Sequence, residues 1–558
     1  MKPQPPLIIQ DFSPGVNNTA SANILPKNVL AMALNMYSGV PHTKQGNMSS
    51  RFGLYPIRNI DDDMGVSIVT DGIRGLFRYN QGTLAVLGDF IYAAPDQGSF
   101  VNIGGAPFDW NFTSRARVRF EEYLGYVFAS DGVTIKSWDR NVANNFGSTN
   151  LTSAPIGAII KEFKGRLYIT QNTTYPSRVY FSKLPNSSGG LDAWDTVNDY
   201  FDVTPNDGDK ITAIEKVGNI LYIFKRYSVH TWDGTSLIPL SNIGATNQEA
   251  VSNINGKLFF VGKQNKMVSA FMIAGGLPIE ISYPMRNWFD NIIPSSVRLN
   301  LAENVNESEK GEICCFTDNE YVYFSIGSVN RRDLKDLYEE TTGTNIVYNG
   351  NQFNNVILGY NHIQNSWNEF FIDRQFPQIT GNPVGNRIKF ATKLDTSSQQ
   401  RIIVGGTSSG TLSTEAVANA IWYWNYDPNT DDINLLTAGG EDRVALPLGD
   451  YIVPIQIWIQ THEIFNSPFQ NKLINKFAIQ SSGNYGYISV YMRVDGKEWI
   501  ELGGLTSNKT IFSPGIDCNT FELKLLGSKS GYTQYNGGEP FTLERIEIFD
   551  WSLENYET

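Results

Sequence analysis

The chain reads as an all-β protein: a β-propeller of six or seven blades, preceded by an N-terminal arm and followed by a β-sandwich-like domain. Three observations predict this. A glycine turn followed by an aromatic-rich strand recurs, as Leu124-Gly125-Tyr126-Val127-Phe128, Lys164-Gly165-Arg166-Leu167-Tyr168, Val217-Gly218-Asn219-Ile220-Leu221-Tyr222 and Asn255-Gly256-Lys257-Leu258-Phe259. Gly82-Thr83-Leu84-Ala85-Val86 reads as an earlier copy, and two units close at Trp138-Asp139 and Trp232-Asp233. Repetition at roughly forty residues marks an array of like units, none able to bury its apolar face alone. Composition agrees: Tyr 27, Phe 32 and Gly 50 against only 18% charged residues favour pleated, half-buried strands and tight turns. Finally, beyond residue 450 strict alternation appears in Ile455-Gln456-Ile457-Trp458-Ile459-Gln460 and Ile488-Ser489-Val490-Tyr491-Met492, the period of a strand with one buried face.

The elements follow in order. Residues 1–60 form the arm, opened by Pro3, Pro5 and Pro6. Within it Val29-Leu30-Ala31-Met32-Ala33-Leu34-Asn35-Met36-Tyr37 predicts a short helix, because Pro26 suits a first turn and Ala, Leu and Met are good helix formers. Such an arm has little core of its own and is expected to be ordered by a neighbour, so deleting residues 1–50 should leave a folded propeller that fails to assemble. Residues 61–449 are assigned to the propeller, with a polar insertion at 330–350. Residues 450–558 form the sandwich, in which Asp495-Gly496 predicts a hairpin turn.

At 558 residues the chain exceeds one hydrophobic core, and several domains are expected. A net charge of −12 argues against a surface that grips nucleic acid, which needs clustered Lys and Arg to displace counterions. An acidic wall would instead let a duplex slide past. Adjacent Cys314 and Cys315, with Cys518, make no disulfide framework and fit synthesis in a reducing cytoplasm. No secretory leader and no membrane-spanning run are read from the sequence.

Chemistry is sparse. His42, His230, His362 and His462 lie far apart, and His462-Glu463 lacks a second His one turn on. Ser130-Asp131-Gly132 with Trp138 faintly resembles the turn of some propeller sialidases, but its spacing fits a β-turn in which Asp131 binds backbone amides. Asp427, Asn429, Asp431 and Asp432 alternate like part of a calcium loop, yet glycine and glutamate are missing where that loop needs them. Asp61-Asp62-Asp63 reads as an exposed loop and Lys225-Arg226 as a solvated strand end. Trp422 and Trp424, with Tyr423 and Tyr426, could stack on sugars, but alternation makes a packing face more natural, and Trp138 and Trp232 read as inter-blade packing. The sequence predicts no catalytic, cofactor-binding or metal-binding residue.

Asp11-Phe12-Ser13-x-Gly15-Val16-Asn17, Leu25-Pro26-x-Asn28, Asn35 and Arg51-Phe52-Gly53, together with Ser177-Arg178-Val179-Tyr180-Phe181-Ser182-Lys183-Leu184 and Trp194, carry a resemblance. They are similar to the nozzle or tail-hub β-propeller proteins of short-tailed bacteriophages. That resemblance implies a structural, non-enzymatic virion protein, made in the host cytoplasm and placed in the tail. It implies self-association into a ring, a hexamer, that extends and gates the DNA ejection channel below portal and adaptor proteins and beside tail fibres. Double-stranded DNA would pass without specific binding. The alternative is a carbohydrate-binding or glycan-cleaving receptor-recognition propeller.

Overall fold

The turns Leu124–Gly125, Lys164–Gly165 and Asn255–Gly256 hold both central residues at positive φ, 48° and 84°, 49° and 72°, and 49° and 77°. This geometry matches the right-handed twist of antiparallel strands, so each turn closes a hairpin. A computed structural model describes residues 2–19, 24–38, 46–50, 55–59, 73–79, 82–87, 90–95, 100–104, 117–144, 146–147, 153–185, 194–264, 267–292, 313–318, 320–330, 352–371, 387–395, 400–407, 420–424, 456–465, 470–483, 488–528 and 541–553. The insertion at 331–350, Asp61-Asp62-Asp63, His42, Arg51-Phe52-Gly53, Tyr426 and the Asp427–Asp432 loop lie outside these residues.

Among the described residues, seven sheets succeed one another along the chain. Their leading strands are Ile73–Tyr79, Arg119–Tyr123, Ile159–Phe163, Ile211–Val217, Val251–Ile254, Cys314–Thr317 and Arg387–Asp395. Each leading strand touches the next, and Arg387–Asp395 returns to Ile73–Tyr79, so the succession closes on itself. This is a β-propeller. The seventh sheet takes its outer strand, Tyr55–Asn59, from the N-terminal side of the chain, paired antiparallel with Ala420–Trp424. Aromatics fill the seams between sheets. Trp138 of the second sheet meets Tyr79 of the first edge-on at 5.3 Å, and Trp232 of the fourth stacks on Phe201 of the third at 4.2 Å. Gly82, read as a turn residue, instead begins the strand Gly82–Leu87.

The strands of the C-terminal part form the expected sandwich. Ile488–Val494 alternates cleanly between buried and half-buried residues, and Asp495 and Gly496 turn at φ 52° and 67° into Ile500–Gly504. One sheet runs Gln456–Thr461, Phe521–Ser528, Ile488–Val494, Ile500–Gly504; the other centres on Lys472–Ser482 and Thr542–Leu553. Val490, Met492, Leu523 and Leu525 of the first pack in one cluster with Phe477, Ile479, Ile546 and Ile548 of the second. The first sheet is continuous with the sixth propeller sheet through Leu30–Leu34, which sits between Ser366–Phe371 and Gln456–Thr461.

That placement corrects the reading of the arm. Residues 29–37 hold the strands Leu30–Leu34 and Met36–Ser38, not a helix. Leu30, Ala33, Leu34 and Met36 are buried, and Asn35 at φ 58° breaks any helical run. The vacancy between two strands outweighs helix propensity, which is worth under about 1 kcal/mol per residue. The arm's partners lie in its own chain: Leu7–Gln10 pairs with Arg545–Ile548, and Met48–Ser50 with Met36–Ser38.

Candidate functional site

Two buried polar constellations stand out, one locking the arm and one filling the propeller axis. The lock is built from the opening motif. Asp11 at φ 63° turns the chain, and its carbonyl accepts from Asn28 Nδ2 at 2.6 Å. Phe12 is fully buried. Gly15 adopts φ 69°, and a Cβ there would run into the Trp367 carbonyl oxygen. This closeness lets the Val16 amide donate to Trp367 O at 3.0 Å and the Leu30 amide to Gly15 O at 3.0 Å. Gly15→Ala combines a left-handed backbone with that clash and is expected to cost about 1–3 kcal/mol, read as a lowered urea midpoint at unchanged slope.

Glu369 is the centre of the lock. Its side chain is fully buried. Oε1 accepts from Trp288 Nε1 at 2.6 Å and from Asn18 Nδ2 at 3.2 Å, and Oε2 from the Ala33 amide at 3.3 Å. One carboxylate thus joins the sixth sheet, the short helix Arg286–Phe289 and two separate stretches of the arm, at Asn18 and at Ala33. His462 Nε2, which must carry its hydrogen to meet a carbonyl, donates to Asn17 O at 2.9 Å. Burial lowers the His462 pKa, against a smaller raising contribution from that bond.

The axis carries charge. Arg117 Nη1 lies 2.7 Å from Glu249 Oε2, and Arg119 Nε 2.8 Å from Glu249 Oε1. Arg119 leads the second sheet, whereas Glu249 precedes the leading strand of the fifth; these sheets are not neighbours in the closed succession. The pair therefore spans the centre of the ring of sheets. Lys161, leading the third sheet, meets Glu215 of the fourth at 2.9 Å and Glu121 of the second at 3.8 Å. Lys216 pairs with Glu162 beside them.

Electrostatics follow from this placement. Burial pushes the Glu249 pKa up, but Arg119 and Arg117 outweigh it and hold the carboxyl well below its usual range. Burial lowers Lys161, yet Glu215 and Glu121 raise it above its usual value. Glu121 moves the other way: burial raises it, and Lys161 only partly offsets this. The arrangement braces four sheets and occupies the axis. It presents no nucleophile beside a base.

The residues singled out in the sequence are dispersed. Asp131 Oδ1 accepts from the Val133 and Thr134 amides at 2.8 and 2.7 Å, and Gly132 has φ 89°, the turn expected. Lys225 is not a solvated strand end: it is fully buried, with Nζ 2.7 Å from Asp207 Oδ1 and 3.1 Å from Thr204 O. Its stem fills the core of the fourth sheet while its charge is neutralised locally. His230 is buried on the strand Val229–Trp232 and His362 in the turn that follows Gln352–Asn361, and among the described residues no three His, Cys, Asp or Glu side chains are grouped to hold a metal. Cys314, Cys315 and Cys518 are free and buried, and burial pushes the Cys314 thiol up to about 12. Trp424 packs against Tyr323 at 5.3 Å and Phe316 at 5.7 Å, a core contact; of Trp422 and Tyr423 the strand backbone alone is described. Arg178, in the second stretch of the resemblance, forks onto Asp202 at 2.8 and 3.0 Å and lies 3.6 Å over the Tyr200 ring. Trp194 packs half-buried against the cluster that includes Phe128, Ile160 and Leu167.

Sequence reasoning passed over Glu369, Glu249 and Lys161. A signal for the axis existed, since Arg117, Arg119 and Glu121 alternate along one face of a strand whose other face holds Val118 and Phe120. Glu369 offered none.

Fold and constellations together define an all-β propeller protein with an integrated C-terminal sandwich. No family model and no curated protein matches the chain. Among solved structures it is similar to the extracellular domain of BT4673 from B. thetaiotaomicron, at 11% identity over 93% of this chain and 63% of that one, TM-score 0.38. It is also similar to the Neurospora crassa Pan2 WD40 domain, at 7% identity over 68% and 95%, TM-score 0.36. A third, described as a glycoside hydrolase, shows 11% identity over 87% and 98%, TM-score 0.23. The chain spans less than two thirds of the length of the first.

Proposed function

We propose that this chain is a non-enzymatic structural subunit of a bacteriophage tail, a nozzle or hub protein whose copies form a ring around the path of ejected DNA. The seven sheets are read as seven blades, and the ring as a hexamer adjoining portal and adaptor proteins and tail fibres. The protein would be made in the host cytoplasm and end in the virion.

One observation carries the reading. Gly15, Val16 and Asn35 of the opening motif, on which the resemblance rests, pair with Trp367 and Glu369 of the sixth sheet. Asn18, just beyond the motif's first stretch, bonds to the buried Glu369, so this segment is committed to locking propeller and sandwich together. This is how a sequence makes a stiff wall, not how it builds a catalytic cleft. The charged plug at the axis supports a further point: DNA would pass between copies, through a lumen that a ring encloses. A net charge of −12 supports a wall to which duplex does not adhere.

The test is electron microscopy of the purified full chain, with a duplex-DNA mobility assay at low salt. Closed rings with a central lumen and negligible DNA retention are expected. Monomers at every concentration, or tight DNA binding, would overturn the reading. Release of reducing sugar from bacterial surface glycans would replace it with the glycan-cleaving alternative.

A further inference from the structure

We infer that residues 2–10 are an exchangeable strap, and that the outer edge of Thr542–Leu553 is a strand-acceptor site for the same residues of a second copy of this chain. The strap is held by one strand pairing, with Ile9 in the core cluster and half-buried Leu7 packed against it. Lys2 and Pro3 pair with Leu553 and Ser552, Leu7–Gln10 with Ile548–Arg545, and Trp551 Nε1 donates to Pro5 O at 2.9 Å. Only Ile9 is buried; Lys2, Pro3, Pro5, Pro6, Ile8 and Gln10 are exposed. Pro3, Pro5 and Pro6 lack the amide hydrogen a ladder uses, which leaves the pairing thin.

The acceptor edge differs. Thr542–Leu553 is held on its inner side along its whole length by Lys472–Ser482. On its outer side, among the described residues, Met48–Ser50 pairs with Thr542 and Leu543, and the strap pairs with Arg545–Ile548, Ser552 and Leu553. With the strap lifted, that edge presents unpaired backbone groups, the feature that recruits a strand from another chain.

A pivot lies at the boundary. Asp11 has φ 63°, and immediately after it Phe12 is fully buried and its amide donates to Gly46 O at 2.8 Å. The chain is therefore anchored from Phe12 onward and loosely held before it. An identical strap from a neighbour would restore the same ladder and the same Ile9 contact, so exchange costs little beyond rotation at the pivot.

The inference rests on the reading that copies assemble, and the test separates the two. Ile8 and Glu547 are register partners on the outward face. Full-length chains carrying Ile8→Cys and Glu547→Cys singly would be co-assembled, oxidised and run without reductant, beside the double variant and a particle-mass measurement. The expected result is a disulfide-linked dimer in the mixed assembly, lost on reduction, with the double variant closing within one chain in monomer fractions. Assembly with no interchain disulfide, while the double variant still closes internally, would overturn exchange and leave assembly standing. Monomers throughout would overturn both.

Discussion

Deletion of residues 1–50 is expected to abolish cooperative folding, giving insoluble or dye-binding protein without a near-ultraviolet signal. The arm contributes Ile9, Phe12, Val16, Leu30, Met32, Leu34, Met36 and Met48 to the largest buried cluster, together with residues of both sandwich sheets and the sixth propeller sheet. Each such side chain contributes roughly 1.5–3 kcal/mol on burial, so their joint loss matches or exceeds the roughly 5–15 kcal/mol by which a domain is stable. The backbone is hit as well. Without Leu30–Leu34, the strand Gln456–Thr461 loses a neighbour, and Glu369 loses the Asn18 and Ala33 donors together with the strand beside it. Deleting residues 2–10 alone should spare the fold, because only Ile9 among them is buried. Calorimetry on the two deletions makes the comparison, and a soluble protein with one sharp transition after the longer deletion would defeat the account.

The sequence alone points to the reverse outcome for that deletion, and the reason is physical. Local signals describe a strand's own turns and faces, which is why the hairpins at Leu124–Gly125, Lys164–Gly165, Asn255–Gly256 and Asp495–Gly496 were legible: the residues that must take positive φ are written in place. Long-range pairing leaves no such trace. Leu30-Ala31-Met32-Ala33-Leu34 looks helical alone, and becomes a strand because Ser366–Phe371 and Gln456–Thr461 leave a gap about one strand wide. Lys225 looked like a surface base because its partner, Asp207, sits on the loop of another strand. The opening motif was visible as a pattern, but its purpose depended on Glu369, a residue 351 positions from Asn18.

Glu249→Ala should cause the largest loss of any single substitution at the axis. It removes the carboxylate from between Arg117 and Arg119, whose side chains are 11% and 16% exposed. Taking one partner from a buried ion pair costs about 3–5 kcal/mol; Glu249→Gln, which keeps the volume and one acceptor, should lose less. The pH dependence has a definite sign. Glu249 is depressed below its ordinary 4.5 in the folded chain, so its contribution is complete above that value and fades as pH falls toward the folded one. Lys161 is raised above its ordinary 10.5, so its contribution is complete below 10.5 and is lost only as pH climbs through the folded value. Glu121, raised by burial, works against Glu249: protonating it in acid relieves a charge that folding desolvates. Urea midpoints across pH should therefore fall on the acid side of 4.5 in the parent chain and fall less steeply there in both Glu249 variants, where Glu162 and Asp207, also lowered, keep part of the limb. If the acid limb stays equally steep without Glu249, the pair across the axis is not what holds these sheets together.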